Sequence, residues 1–487
     1  MLRLPYLNKE QINFIASEVV SLLRSESPPV MVSSMTEATV PEAYRSDMGI
    51  FNDLDGAIQA AKSAQQKLQQ TSLEKRNEII TSIRKKMLLH AEDLASRAHQ
   101  ETGLGRKEDK VIKNRLVTQK TPGSEFLTPS AQSGDKGLTL MELAPFGVIG
   151  AITPVTNPTS TIICNTIGMV AAGNAVVFNV HPSAKNVSLY NISLLNEAIK
   201  EVEGPENLIT TIAEPTLKSA QELMKHKDIK LLVVTGGSGV VREAMMSGKR
   251  AICAGPGNPP VVVDETADID QAARGIIAGA SLDNNIICVD EKEVFVVASV
   301  ADQLLSAFTR YNAVILNPQQ ISELEKIIFS EDRGPGKPAV MNKELIGKNA
   351  GLILEKIGIN VPDKIRIAVA PVQLEHPLVW SEQMMPVLPV VRIPNADSAI
   401  ESAIRAEHGF RHTAVMYSKN LDNLSRMARE VNCSIFVKNG PSYSGLGYGG
   451  EGYCSFSIAS PTGEGLTNPR SFSRERRCVM VDHFRIV

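Results

Sequence analysis

One cysteine of the chain lies where its thiol could act as a nucleophile. Residues 283–292 read DNNIICVDEK, so Cys288 lies between an apolar pair and a charged run, just ahead of a predicted strand. A thiolate in that setting could attack an electrophilic carbon and form a covalent intermediate. A lone cysteine is more often a small buried apolar residue, so the local pattern leaves both interpretations open.

An amide that could stabilise an oxyanion follows another predicted strand. Residues 152–158 read ITPVTNP, and Pro154 and Pro158 restrict the backbone around the side chain of Asn157. An oxyanion hole requires a donor held in this way. Taken alone, the segment fits a plain turn better than a catalytic one.

A glycine-rich turn ends a third predicted strand. Residues 233–239 read VVTGGSG and precede a helical stretch. At the carboxyl end of a parallel strand, such a turn would let a dinucleotide approach the backbone closely. The segment lacks the GxGxxG pattern, and an ordinary tight turn explains it equally well.

The elements that must position these residues alternate between strand and helix. After Gly147, short β-branched runs alternate with helix-like stretches, which predicts parallel sheets in an α/β fold. The predicted strands are 148–152, 175–178, 231–234, 261–263, 294–297, 314–316, 414–417 and 434–437. A closing strand is predicted over residues 476–487.

Helices are predicted ahead of these strands. Residues 71–74 (TSLE) form a capping-box signature, and the following helix would bury one apolar face. That face holds Ile79, Ile80, Ile83 and Met87.

The first 24 residues predict an amphipathic helix of their own, because apolar residues recur there at helical spacing. The apolar stripe holds Ile12, Ile15, Val19, Leu22 and Leu23. Residues 25–46 are rich in Ser, Pro, Glu and Thr without periodicity and predict a flexible linker. The helix would therefore be tethered to the rest of the chain.

Length and charge exclude several classes of protein. The 487 residues are too many for one core and predict two or three domains. Lys and Arg number 51 against 53 Asp and Glu, so no strong net charge attracts nucleic acid or anionic lipid. No apolar run approaches the ~20 residues of a membrane span. We therefore expect neither a nucleic-acid nor a membrane partner.

The six cysteines are scattered, without a CxxC pair or a Cys/His cluster. We therefore expect no zinc or other metal site and no disulfide framework, and the N-terminus lacks a secretory signal. These features are typical of a protein of the reducing cytoplasm.

Together these segments resemble the aldehyde dehydrogenase superfamily, and specifically the CoA-acylating acetaldehyde and propionaldehyde dehydrogenases of bacterial microcompartments, of the ethanolamine- and propanediol-utilisation type. The resemblance covers about residues 49–487. It is supported by the segments GPGNPPVVVDETAD at 255–268, EQMMPVLPV at 382–390 and FVKNGP at 436–441.

The resemblance implies a role for each candidate residue. Cys288 would be the covalent nucleophile, Asn157 the oxyanion amide, and Glu382 the carboxylate that holds the nicotinamide ribose. The further residues implied in binding NAD are Thr153, Pro154, His181, Pro182, Ser183, Thr235, Gly236 and Gly237. His181 and Ala184 stand where hydrolytic members carry Lys and Glu, so a surface loop is the alternative for this segment.

A missing carboxylate favours acyl transfer to a thiol. In the hydrolytic members of the family that this chain resembles, a glutamate in the corresponding segment activates water. In this chain, no carboxylate lies between Arg250 and Asp264. The thiol of coenzyme A is a far better nucleophile than water. We therefore expect reversible oxidation of acetaldehyde or propionaldehyde to the acyl-CoA with NAD⁺. Residues 284–288 resemble the acetaldehyde group of the family more closely, which implies a preference for acetaldehyde. The alternatives are a hydrolytic enzyme that gives a free acid and an inert relative that fills a protein shell.

The resemblance also implies an aldehyde dehydrogenase fold, with a Rossmann-like cofactor domain, an α/β catalytic domain and a β oligomerisation arm. The predicted parts are an encapsulation peptide at 1–24, a linker at 25–46, the cofactor domain at 47–128 and 145–252, the catalytic domain at 253–445, and the arm with the C-terminal segment at 129–144 and 446–487. We expect a homodimer or homotetramer inside a microcompartment of the cytoplasm, docked to shell proteins through residues 1–24.

Overall fold

Two parallel β-sheets and three smaller antiparallel sheets organise the described part of the chain. The computed structural model describes residues 48–487. The helix predicted at 1–24 and the linker predicted at 25–46 lie outside the described residues. The eight strands predicted after Gly147 are all present, and their bounds differ from the predicted ones by no more than two residues.

The first sheet has six parallel strands in the order β1-β6-β5-β4-β7-β8. Its strands are β1 (Ile50–Phe51), β4 (Val148–Ile152), β5 (Ala175–Asn179), β6 (Ile209–Ile212), β7 (Ile229–Thr235) and β8 (Ala251–Ala254). Every residue of β4 and β5 is buried, because helices cover both faces of a parallel sheet.

The second sheet has seven parallel strands in the order β11-β14-β15-β10-β9-β16-β17. Its strands are β9 (Pro260–Val263), β10 (Glu293–Val297), β11 (Ala313–Ile315), β14 (Ile367–Val372), β15 (Val387–Ile393), β16 (Thr413–Tyr417) and β17 (Ile435–Lys438). Its central strands β9 and β10 are buried throughout.

The remaining strands form small antiparallel sheets. They are β2 (Ser130–Gly134), β3 (Gly137–Pro145) and β20 (Ser473–Val481) in one sheet, β12 (Phe329–Glu331) with β13 (Val340–Met341), and β18 (Ile458–Ala459) with β19 (Gly465–Leu466). The division into a cofactor domain, a catalytic domain and an arm stays a prediction.

Helices connect and cover the strands. They are α1 (Leu54–Gln69), α2 (Leu73–Leu89), α3 (Ala91–Thr102), α4 (Lys107–Lys120), α5 (Pro158–Ala171), α6 (Lys185–Glu201), α7 (Leu217–Lys225), α8 (Ser238–Met245), α9 (Ile269–Ala280), α10 (Ala298–Phe308), α11 (Pro318–Ile328), α12 (Ala350–Glu355), α13 (Ala396–Ala406) and α14 (Leu421–Val431). In the part of the chain that the structure describes, no helix is long and apolar enough to cross a membrane.

The capping box predicted at 71–74 is wrong, because the helix is capped one residue later and by a single hydrogen bond. Ser72 is the N-cap of α2, and its side chain accepts a hydrogen bond from the backbone N–H of Lys75. The hydroxyl of Thr71 instead donates to the carbonyl of Leu68 at the end of α1. Lysine therefore occupies the position at which a capping box needs Glu or Gln. The apolar face predicted for this helix is buried as expected.

The predicted closing strand is also shifted. Strand β20 begins at Ser473 and ends at Val481, whereas residues 482–487 contain no strand. Val481 pairs with Gly137, the first residue of β3, so the partner strand ends there. Asp482 then adopts a left-handed conformation with φ of 61°, which turns the chain away from the sheet.

Candidate active site

A cavity of about 750 Å³ lies at the carboxyl ends of β4, β5 and β7. All the candidate residues line it, namely Thr153, Pro154, Asn157, His181, Pro182, Ser183, Thr235, Gly236, Gly237, Cys288 and Glu382. The structure therefore brings together residues that the sequence places more than two hundred positions apart. Their individual roles stay predictions.

The cavity lies where the first sheet changes direction. From β4 the chain continues through β5 and β6 on one side, and then through β7 and β8 on the other. The crevice outside such a switch point is where open α/β sheets bind ligands. No heavy atom lies within 4 Å of the point where a Cβ of Gly237 would stand. This open space beside the glycine turn fits a dinucleotide that approaches the backbone.

The loop that carries Cys288 is held by polar side chains. Asp283, Asn284 and Asn285 all have a left-handed backbone, with φ of 46°, 58° and 67°. The amide of Asn285 donates to the carbonyls of Ala280 and Glu291 at 2.8 and 2.9 Å. Such hydrogen bonds offset a backbone conformation that is costly for residues with a Cβ. The thiol is thereby held at the cavity wall, partly exposed.

The electrostatic surroundings keep the resting thiol of Cys288 protonated. Burial raises its pKa to about 12, and the negative charge of Glu382 adds to the shift. The buried ammonium of Lys292 acts in the opposite direction. Lys292 is itself held by the carbonyl and side-chain oxygens of Asn285, at 2.7 and 2.6 Å.

Glu382 lies close to the same backbone turn as Cys288. Its Oε1 accepts a hydrogen bond from the N–H of Gly257 at 3.2 Å, and burial raises its pKa. A Cβ on Gly257 would come within 2.6 Å of the Cys288 carbonyl and 3.0 Å of the His412 ring. Only glycine fits between these groups, which keeps the turn against the nucleophile loop.

The side chain of Asn157 is oriented by two hydrogen bonds. Its Nδ2 donates to the hydroxyl of Thr156 at 3.2 Å, and its Oδ1 accepts from the ammonium of Lys113 at 2.5 Å. Asn157 also precedes α5, and its backbone carbonyl accepts from the N–H of Thr161. The second N–H of the amide remains free to bind a negatively charged oxygen.

Sequence reasoning missed Lys113 and His412. Lys113 lies on α4, whose sequence is mostly polar and gives no sign of a buried face. The only signal in the sequence is that Lys110 and Lys113 are three residues apart, which places them on the same side of a helix. Burial, with the nearby charge of Lys292, lowers the pKa of His412 to about 3. Its imidazole is therefore neutral, and its Nε2 has no hydrogen-bond partner among the residues described.

Among residues 48–487, no group of His, Cys, Asp and Glu side chains could hold a metal ion. Gly255 and Pro256 line the cavity, and they lie in the segment between Arg250 and Asp264 that carries no carboxylate.

Comparisons with known proteins agree with this geometry. Residues 31–320 match the aldehyde dehydrogenase family. The acetaldehyde dehydrogenase (acetylating) of Bilophila wadsworthia is 47% identical over 99% of this chain and 100% of its own length.

Two solved structures are similar to the chain along most of its length. The propionaldehyde dehydrogenase of Rhodopseudomonas palustris, with bound CoA and an acylated cysteine, gives a TM-score of 0.87 at 47% identity, over 89% of this chain and 98% of its own. A propionaldehyde dehydrogenase from the fucose-utilisation microcompartment of Clostridium phytofermentans gives the same TM-score and identity, over 90% and 100%.

Proposed function

The chain belongs to the aldehyde dehydrogenase family, and from this premise we propose that it oxidises a short-chain aldehyde to the acyl-CoA with NAD⁺ and coenzyme A. The observation that carries the proposal is a single cavity lined by the Cys288 thiol, the Asn157 amide and a glycine turn that leaves space for a dinucleotide. The acylating relatives support the choice of coenzyme A as the acceptor.

Chemistry begins at the sulfur of Cys288, which adds to the aldehyde carbonyl. The oxyanion that forms accepts hydrogen bonds from Nδ2 of Asn157 and from a backbone N–H near Cys288. Burial raises the pKa of the resting thiol to about 12, so the thiol must release its proton to solvent before the sulfur adds to the carbonyl.

When bound, NAD⁺ would act as the acceptor of the hydride that the aldehyde carbon loses. Thr153, Pro154 and Thr235 to Gly237 would hold it at the strand ends, with His181 to Ser183 at the exposed rim of the cavity. Glu382 would bind the ribose next to the nicotinamide.

The acyl group is then carried as a thioester on Cys288. The thiolate of coenzyme A attacks this thioester and releases Cys288, so one thioester replaces another and the reaction is reversible. Between Arg250 and Asp264 no carboxylate is present to activate water, so hydrolysis competes poorly.

One assay tests the reaction. The full chain is mixed with aldehyde and NAD⁺, with and without coenzyme A, while NADH is followed by absorbance and acyl-CoA by mass spectrometry. We expect continuous NADH formation only with coenzyme A. Continuous formation without it, with release of free acid, would instead identify a hydrolytic enzyme, and no NADH in either reaction would identify an inert relative.

We propose acetaldehyde and propionaldehyde as the substrates, with acetaldehyde preferred. The apolar side chains of Ile287, Leu446 and Phe456 line the cavity together with Cys288. One methylene in an apolar pocket changes the transition-state free energy by ~1–3 kcal/mol. Both aldehydes should therefore turn over, and kcat/KM values for two- to four-carbon aldehydes test the order.

We also propose a homodimer or homotetramer built through the antiparallel sheet. Strand β20 is an edge strand whose residues 474–481 are all exposed, including Val479 and Val481. An exposed edge of this length invites pairing with another strand. Val479→Lys with Val481→Lys should reduce the mass measured by light scattering, whereas Val487→Lys, beyond the strand, should not.

A further inference from the structure

Three charged side chains lie buried beneath Asn157. Lys110, Lys113 and Asp283 have side chains no more than 3% exposed. The ammonium groups of both lysines contact Oδ2 of Asp283, and Lys110 does so at 2.9 Å. Of the two, Lys113 also contacts Asn157, donating to Oδ1 at 2.5 Å. Burying ionised groups is costly unless they are paired, so this arrangement needs an explanation.

The chemistry of an ammonium group determines how the Asn157 amide is oriented. A lysine ammonium has three hydrogen-bond donors and no acceptor. It can therefore form a hydrogen bond with the oxygen of the amide but not with its NH₂ group. If the amide were reversed, its NH₂ group would face another set of donors. The observed orientation leaves Nδ2 with one N–H on the Thr156 hydroxyl and one N–H free.

We propose that Lys113 is a positioning residue that fixes the Asn157 amide with its nitrogen toward the reacting carbonyl. This inference rests on the proposed aldehyde oxidation. Lys113 does not touch the substrate, and acts by holding the amide oxygen and by polarising the amide so that its N–H donates more strongly.

The same cluster also holds the nucleophile loop. Asp283 lies five residues before Cys288, and its Oδ1 accepts a hydrogen bond from the N–H of Arg106 at 2.6 Å. Asp283 therefore joins helix α4, which carries Lys113, to the loop that carries the thiol. The backbone N–H of Asp283 also donates to Asp109 of the same helix at 2.8 Å, so the cluster connects the element beside the oxyanion donor to the loop of Cys288.

The charges of the cluster favour a negative charge on an oxygen bound next to Asn157. Two ammonium groups face Asp283, while the nearby carboxylate of Asp109 is paired with the guanidinium of Arg366. One of these ammonium groups, that of Lys113, contacts the oxygen of the Asn157 amide, at the other end of the amide from Nδ2. Fixed charges of this kind stabilise a developing oxyanion without reorganisation.

A double-mutant cycle tests the proposal. The four proteins are wild type, Lys113→Met, Asn157→Ala and the double variant, each checked for thermal midpoint and NAD⁺ affinity. Lys113→Met should lower kcat roughly 10- to 100-fold with unchanged NAD⁺ affinity, because a hydrogen bond to a charged group is lost. In the Asn157→Ala background, itself expected to lose roughly 10²–10³ in kcat, the same substitution should cost less than about 3-fold, because the amide it positions is gone.

Lys110→Met is the matched control. Each single lysine variant leaves one lysine paired with Asp283, so neither variant leaves this buried carboxylate without a partner. Lys110 reaches Thr156 only at its carbonyl, 3.5 Å away, so its loss in kcat should be clearly smaller. If Lys113→Met does not fold, Lys113→Gln replaces it in the cycle under the same criterion.

Equal losses from Lys113→Met in the two Asn157 backgrounds would overturn the proposal, as would equal losses from the two lysine variants. Either result would make the cluster purely structural. Failure of the proposed function would be seen in other measurements. The wild-type enzyme would turn over without coenzyme A, or the Cys288→Ala variant would keep its activity.

Discussion

At the scale of single residues, Glu382 controls how easily Cys288 ionises. Its negative charge is the second cause, after burial, of a thiol pKa raised to about 12. At any lower pH the thiolate fraction rises about tenfold for each pH unit. Glu382→Gln removes the charge, so it should lower the thiol pKa and speed the alkylation of Cys288 by iodoacetamide.

Peptide mass spectrometry measures that alkylation from pH 6 to pH 9, and Cys288→Ala identifies the labelled peptide. The wild-type rate should climb across the whole range without a plateau, because the thiol pKa lies above it. Labelling of Glu382→Gln at or below the wild-type rate would contradict the assigned electrostatics.

Cys288 should be the cysteine on which turnover depends. Cys288→Ala should abolish NADH formation at every coenzyme A concentration, because no acyl thioester can form. Cys433 is a matched control, since it is also partly exposed but its thiol donates to the carbonyl of Ile435. Cys433→Ala should keep turnover within about 2-fold of wild type, and loss of activity in that variant would argue against the mechanism.

The residues named from sequence were those whose immediate neighbours carry a pattern. Cys288 and Asn157 stand beside apolar and proline-rich runs, and both line the cavity. Lys113 could not be named in this way, because its contact with Asp283 spans 170 residues. A long-range buried ion pair leaves no local periodicity, so only the folded chain reveals it.

At the scale of elements, Glu291 ties the nucleophile loop to the turn Ser442–Leu446. Its carboxylate accepts from the N–H and the hydroxyl of Ser442 at 2.8 and 2.7 Å. Burial raises the pKa of Glu291 from 4.5 to about 7. The folded state therefore holds this proton more tightly than the unfolded state does.

A carboxyl whose folded pKa is raised contributes most to stability below its unfolded pKa. That contribution is lost as the pH rises from about 4.5 to about 7. Glu291→Gln cannot ionise, so its thermal midpoint should fall less than that of wild type between pH 5 and pH 8. The corresponding change in the free energy of unfolding is at most about 3 kcal/mol. The control is Glu265→Gln, which removes an exposed carboxyl. Parallel midpoint profiles for Glu291→Gln and wild type would show that Glu291 stays ionised.

Strands were easier to predict than the ends of helices and strands. The apolar runs of buried parallel strands are visible in sequence, and all eight predicted after Gly147 are present. The end of β20 depends on where its partner β3 begins at Gly137, and the cap of α2 depends on which of two adjacent hydroxyl residues turns inward. Both are set by neighbours that a local pattern does not include.

At the scale of the whole molecule, the active cavity gathers residues from Leu104 to Ile458. Ordered matches along nearly the full chain predicted that gathering, whereas no single motif did so. The two parallel sheets explain it physically, because the carboxyl ends of their strands concentrate the loops that carry chemistry.

The N-terminal segment is where function is expected outside the enzyme itself. The sequence of residues 1–24 has apolar residues at helical spacing, which predicts an apolar stripe, and residues 25–46 have no such spacing, which predicts a tether. We propose that the stripe docks the enzyme to microcompartment shell proteins, which the microcompartment origin of a similar structure supports. Burying three such side chains would stabilise docking by several kcal/mol, at about 25 cal/mol per Å².

Truncation separates docking to a shell from packing on the enzyme. Deleting residues 1–45 should leave kcat and the thermal midpoint unchanged, reduce self-association, and stop co-purification with shells. Ile15→Glu with Val19→Glu should do the same, because charges interrupt the apolar stripe, whereas Asn13→Ala on the polar face should have no effect. A truncated enzyme that unfolds several degrees lower would place the helix against the dehydrogenase body, because lost apolar burial lowers stability. One that still enters shells would move the docking surface to the folded part of the chain.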